Sequence, residues 1–204
     1  MKLVSRLLSL LVLTAAFVVL TGTACDQKST PDRAWERGAF QPVDANIKSY
    51  SLPAGIAIDN CYGYDDYVPK SNLPLFMVVS NSTTTDVTVT FPAGLVFDPS
   101  NAEYQYMMLL QDFTFTAKVG VTDSILVPTY CCNEELGEPD DESFYLTISG
   151  QEWDKETEEL FNLVANKKLD TDDALDVAVD ALFEITDGDS GLTDTTRTKL
   201  QALP

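Results

Sequence analysis

The chain has 204 residues, of which 13 are basic, 32 are acidic and none is histidine. Its net charge of −19 argues against nucleic-acid binding, because that binding depends on neutralisation of phosphates by Lys and Arg. The lack of histidine excludes the usual Ser-His-Asp and Cys-His catalytic sites and every metal site with a histidine ligand. Hydrophobic residues make up 45%, which is typical of a folded globular protein.

The first 24 residues are predicted to be a secretory signal peptide. Lys2 and Arg6 form a short positive region, and the 14 residues from Leu7 to Leu20 are almost entirely apolar. Small residues then lead to Cys25, which is the usual order of a cleaved export signal. The apolar run is shorter than the ~20 residues of a membrane-spanning helix, so we expect cleavage before Cys25.

The sequence Gly22-Thr23-Ala24-Cys25 resembles the lipobox of bacterial lipoproteins. The resemblance implies that Cys25 becomes the mature N-terminus and carries lipid, which would anchor the protein to a membrane of the cell envelope. The same residues also fit the small-x-small pattern of ordinary signal peptidase, in which case the protein is secreted or periplasmic. Both routes leave 11 basic and 32 acidic residues, a net charge of −21.

The mature chain is predicted to consist of a tether and one globular domain. Residues 25–46 comprise the lipidated cysteine and a polar tether without periodicity, and residues 47–204 form the domain. Within the domain, residues 47–150 are expected to be rich in strands and residues 151–204 to be helical.

Short apolar or alternating runs between turn clusters predict the strands. These runs are Leu75–Val79, Val87–Phe91, Leu95–Phe97, Tyr104–Leu110, Phe113–Thr116, Ile125–Tyr130 and Phe144–Ile148. Two stretches, Leu52–Asp59 and Phe91–Asp98, share the pattern Pro-Ala-Gly, three apolar residues and Asp. Because Gly readily adopts a positive φ, we expect two similar turns that each open a strand.

The hydrophobic period changes to that of helices after Gly150. Helices are predicted within Glu152–Leu169, over Asp172–Thr186 and over Asp194–Leu203. The first has acidic residues at its start and Lys167 and Lys168 at its end, and the other two have capping residues at their starts. The predicted fold class is therefore α+β, with a β-sandwich-like (Ig-like) body followed by two or three C-terminal helices.

Three cysteines, Cys61, Cys131 and Cys132, remain if Cys25 carries lipid. An oxidising compartment favours a disulfide between Cys61 and either Cys131 or Cys132. Neighbouring residues of a strand point to opposite faces, so only one of the adjacent pair is able to face Cys61. A vicinal Cys131–Cys132 ring and free buried thiols are the alternatives.

Two segments resemble the thioester-containing domains of bacterial surface adhesins. Tyr130-Cys131-Cys132-Asn133 is similar to their Tyr-Cys motif, and Leu175–Thr186 is similar to a helical segment that supplies a Gln. The resemblance implies an adhesive surface domain. The Gln position holds Asp176, which lacks the amide from which a thioester forms.

The acidic residues Asp187, Asp189 and Asp194 resemble half of a calcium loop. Counted from Asp187, the sixth and twelfth places hold Leu192 and Thr198, where an EF-hand has Gly and Glu. A turn between two helices is the main interpretation, a weak calcium site is the alternative, and no other cofactor is expected.

The sequence favours a cell-envelope lipoprotein that displays a non-catalytic binding, adhesive or structural domain toward a surface protein or a glycan. The alternative is a secreted hydrolase that cleaves glycans with two carboxylates. An aromatic cleft that holds two carboxyl groups about 5–10 Å apart would favour the enzyme.

Overall fold

The computed structural model describes residues 47–64, 71–140, 145–152, 154–187 and 191–204. In these ranges strands come first and helices last. The strands are β1 (Ile47–Lys48), β2 (Ile56–Gly63), β3 (Leu75–Asn81), β4 (Val87–Phe91), β5 (Leu95–Asp98), β6 (Met107–Met108), β7 (Phe113–Ala117), β8 (Thr122–Val127), β9 (Tyr130–Cys131) and β10 (Thr147–Glu152). The helices are α1 (Lys155–Val164), α2 (Asp172–Thr186) and α3 (Asp194–Ala202). The predicted α+β class, with antiparallel sheets followed by C-terminal helices, is confirmed.

The described strands form antiparallel sheets of five, three and two strands. The orders are β1-β10-β5-β6-β9, β2-β3-β8 and β4-β7. Both Pro-Ala-Gly segments form the predicted turns, since the Ile56 N–H donates to the Pro53 carbonyl at 3.0 Å and the Leu95 N–H to the Pro92 carbonyl at 3.1 Å. Gly55 has φ 81° and opens β2, and the second turn opens β5 in the same way.

The five-stranded sheet is buried on both faces. One face contributes Leu95, Phe97 and Met107 to a core shared with the other two sheets, called here the inter-sheet core. The opposite face contributes Val96 and Met108 to a second core under the helices, called here the helix-side core. Consecutive residues of a strand point to opposite faces, so the runs Leu95–Phe97 and Met107–Met108 are apolar instead of alternating with polar residues.

The helices complete the helix-side core with their apolar faces. Leu160, Phe161, Ala178, Leu182 and Leu200 are buried there.

All described residues belong to one compact unit, Arg33–Pro204. The predicted boundary near Gly150, between the strand-rich part and the helical part, lies inside β10. This strand continues to Glu152 and has an irregular register with β5 between Ile148 and Gly150. In the apolar run from Tyr104 to Leu110, only Met107 and Met108 form a strand.

Local capping determines where the helices begin. Asp154 accepts a bond from the Thr157 N–H at 2.8 Å, and the Thr157 hydroxyl completes a capping box with the Asp154 backbone N–H. Thr171 and Thr193 cap the other two helices through their hydroxyl oxygens. Side chains that bond the first free N–H groups stabilise a helix.

We expect Asp154→Ala to lower the free energy of unfolding by about 1 kcal/mol, because the first turn of α1 loses its acceptor. Chemical denaturation followed by circular dichroism measures this change. Asp170→Ala is the control, since Asp170 is exposed and precedes its helix. A loss for Asp170→Ala as large as that for Asp154→Ala would contradict the capping role.

Candidate functional site

The candidate site is an apolar groove beside β2, called here the β2 groove. Its volume is about 420 Å³. One wall is formed by Ile56, Ala57 and Ile58 of β2, and the opposite wall by residues 145–148. No acidic or basic residue belongs to its lining, which is predominantly apolar.

The groove exists because two sheets separate at this point. The Leu146 N–H donates to the Cys61 carbonyl at 2.8 Å, so the segment before β10 lies against the edge of β2. From Thr147 onward the chain pairs with β5 and leaves β2. Cys61, Met77 and Phe97 also line the cavity.

Tyr50 and Leu52 complete the lining of the groove. The Tyr50 hydroxyl donates to the Thr90 carbonyl at 3.0 Å, and its ring meets Phe91 edge-on with centroids 5.8 Å apart. Burial raises the pKa of Tyr50, so its phenol stays neutral at physiological pH. Tyr145, on the opposite wall, is 47% exposed.

The predicted cysteines are buried free thiols in the structure. Cys61 and Cys131 both lie in the inter-sheet core, whereas Cys132 lies in the helix-side core. Cys131 thus shares a core with Cys61, whereas Cys132 belongs to the core on the other side of the five-stranded sheet. The bond itself stays a prediction, and peptide mapping of exported protein without reductant tests it.

Burial raises the pKa of the Cys61 and Cys131 thiols to about 12, and that of Cys132 well above its ordinary value. For protein with its cysteines reduced, we expect alkylation of the native state at pH 8 to be at least about a hundredfold slower than alkylation after unfolding, because the thiolate is the nucleophile. Mass spectrometry of iodoacetamide adducts measures the two alkylation rates. Equal rates in the two states would contradict the burial of these thiols.

The same pKa shifts predict that the free energy of unfolding falls as the pH rises from about 9 to 12, since only the unfolded thiols ionise there.

The acidic candidates for calcium have separate partners. The Asp187 carboxylate accepts from the Glu134 N–H at 2.8 Å and from the Asn133 side-chain amide at 3.4 Å. Asp194 pairs with Arg197 at 3.1 Å in the first turn of α3. Asp189 lies outside the described residues. Among the residues that the structure describes, no group of three or more acidic or cysteine side chains is arranged to hold a metal ion.

The residues of the adhesin resemblance lie in different parts of the fold. Cys131 faces the inter-sheet core, and Asp176 is exposed on α2 on the other side of the five-stranded sheet. The structure therefore does not bring these two side chains together.

Cys25 and the segments predicted as signal peptide and tether lie outside the described residues. Within the described part of the chain, none of the helices has the length and apolar character that crossing a bilayer requires.

The sequence analysis missed the groove. Its walls come from three segments, around Tyr50, Ile58 and Tyr145, that meet only in the folded chain. The one local signal was the Pro-Ala-Gly turn that starts β2.

Comparisons with known proteins identify no relative. No family model matches the chain, and the searches of curated proteins and of solved structures also return no match.

Proposed function

We propose that the chain is a lipid-anchored protein of the cell envelope that displays a non-catalytic binding domain, and that the β2 groove is its contact site. The observation that supports this most directly is an apolar groove at the surface, next to a strand edge. Its volume of about 420 Å³ lies within the range of ligand pockets, which bind mainly through apolar contact.

The chemistry of the lining favours binding over hydrolysis. Catalysis by carboxylates needs an acid and a base or nucleophile that face the same cleft. The groove has no carboxylate in its lining, and its titratable groups, Cys61 and two tyrosines, are weak acids. Because the pKa of Cys61 is about 12, its thiol is neutral at physiological pH.

A second depression of about 520 Å³ on α1 includes Glu158 and Glu159. Arg197 holds Glu159 through two hydrogen bonds, of 2.6 and 3.0 Å, which lower the pKa of that carboxyl. A glycosidase acid needs a raised pKa, and none of the residues lining this depression is aromatic. This geometry gives the hydrolase alternative little support.

Affinity capture tests the groove as the contact site. The mature protein in detergent serves as bait for an envelope extract, and Tyr145→Ala is compared with Val121→Ala. Both side chains are about half exposed, but only Tyr145 lines the groove. We expect a partner that the wild type and Val121→Ala retain and that Tyr145→Ala loses. Equal retention by the two variants would count against the groove.

A further inference from the structure

We propose that residues 33–46 of this chain occupy the β2 groove and compete there with the external partner. The inference rests on the proposed function, because it gives the same groove a second occupant from within the chain. Trp35 and Phe40 are the side chains of this segment that enter the cavity. A partner then gains access to the groove only by displacing the segment.

The chain enters the described fold beside the groove. β1 begins at Ile47, which pairs with Glu152 of β10, and Tyr50 and Leu52 line the groove a few residues later. The compact unit that contains these strands begins at Arg33. Residues 33–46 therefore connect directly to one side of the site and are assigned to the same compact unit.

The segment is long enough to reach the groove from Ile47. Ile148 lines the groove and lies four residues before Glu152 on β10, so it is about 13 Å along that strand from the residue that pairs with Ile47. Phe40 precedes Ile47 by seven residues, which span about 23 Å when extended, and Trp35 precedes it by twelve, which span about 40 Å.

A turn before β1 brings the segment back toward the groove. β1 runs antiparallel to β10, in the direction of Ile148, so the residues before Ile47 have to reverse their course to reach the same place. Gly38 and Pro42 supply residue types that favour turns. The sequence before Ile47 thus has both the length and the turn residues that this path requires.

The composition of the segment matches the lining of the groove. The lining is predominantly apolar and contains no charged residue. Residues 33–46 contain two basic and two acidic residues, so they carry no net charge in a chain of −19. The acidic chain therefore does not repel this segment as a whole. A volume of about 420 Å³ accommodates an aromatic ring, and burial of such a ring against apolar walls favours docking.

Photo-crosslinking within the purified protein tests the docking. Benzoylphenylalanine replaces Tyr145 in the full mature chain, which is kept dilute in non-ionic detergent, and Val121 is the control position. Both side chains are about half exposed, but only Tyr145 lines the groove. Digestion and mass spectrometry identify the crosslinked residues. We expect position 145 to crosslink to residues 33–46 of the same chain, and position 121 to form no such crosslink.

Affinity capture from the envelope extract tests the competition. The double variant Trp35→Ala/Phe40→Ala should retain at least about threefold more partner than the wild type, because a larger fraction of the grooves is open. Gln41→Ala is the matched control, since it changes a polar residue of the same segment and should retain as much as the wild type. Circular dichroism verifies that the variants keep their fold.

Crosslinks from position 145 that do not include residues 33–46 would overturn the proposal. Crosslinks to these residues between two chains would also overturn it, because they assign the groove to a second copy. Unchanged or lower retention by the double variant would refute the competition. If capture still depends on Tyr145 in any of these cases, the proposed function stands without the segment. If capture does not depend on Tyr145, the proposed function itself fails, whereas a crosslink within one chain would still support the docking.

Discussion

Cys25→Ala is expected to abolish incorporation of fatty acid and to move the protein from the membrane fraction to the soluble fraction. Acyl chains contribute about 0.8 kcal/mol per buried CH₂ group to membrane binding. With the predicted signal peptide removed, the chain would carry −21, a charge that an anionic membrane repels, so only the lipid would hold the protein there. Metabolic labelling with an alkyne fatty acid, followed by fractionation, measures both effects.

Thr23→Ser is the matched control, because it keeps a small residue in the cleavage region and should keep the label. Equal labelling of wild type and Cys25→Ala, or no labelling of either, would contradict lipidation. Export without a label would leave the protein secreted or periplasmic.

Phe91→Ala is expected to lower the free energy of unfolding by about 3–5 kcal/mol, because it opens a cavity in the inter-sheet core. Phe91 is fully buried. Its ring lies 5.4 Å from Phe115 and 6.3 Å from Phe97, so it joins the two-stranded sheet to the five-stranded one. Guanidinium denaturation followed by circular dichroism measures the loss.

The same substitution should also weaken binding in the β2 groove, because the ring of Tyr50, which lines the groove, packs against Phe91. Phe91→Leu keeps most of the apolar volume and should cost less than Phe91→Ala. Val121 is exposed, so the free energy of unfolding of Val121→Ala should stay within about 0.5 kcal/mol of the wild-type value. A loss below about 1 kcal/mol for Phe91→Ala would refute the central role of this ring.

The helices could be predicted from the sequence because their signals are local. The second helix extends from Asp172 to Thr186 as predicted, with the Thr171 cap directly before it. The apolar residues at helical spacing, such as Leu175 and Leu182, are those that pack against the sheet. The signals for caps and for the buried face lie within a few residues of each helix, so pairing with distant segments was not needed.

Strand order could not be predicted, because it depends on pairing between distant segments. The Pro-Ala-Gly turns were correctly predicted as openings of strands, since a turn is local. The sequence does not indicate that β10 continues through Gly150 between β1 and β5. Gly150 has φ 148°, and a Cβ there would clash with the Ile47 side chain and lie 2.8 Å from the Lys48 carbonyl oxygen, so glycine is required inside this strand.

The candidate site was only partly accessible to sequence reasoning. Alternation along a strand predicted that Cys131 and Cys132 point to opposite faces, and the two residues lie in different cores. The groove was missed because Tyr50 and Tyr145 are far apart in sequence and line one cavity only in the folded chain.

Position-specific photo-crosslinking in intact cells tests the central claim most directly. A benzoylphenylalanine replaces Tyr145, which lines the groove and is half exposed, or Val121 as the exposed control, in the full chain with its own predicted signal. Adducts are then compared with and without the Cys25→Ala change. The account predicts a discrete adduct at position 145 that is absent at position 121 and that is lost or reduced when the lipid anchor is removed. No adduct at position 145, or the same adducts at both positions, would contradict it.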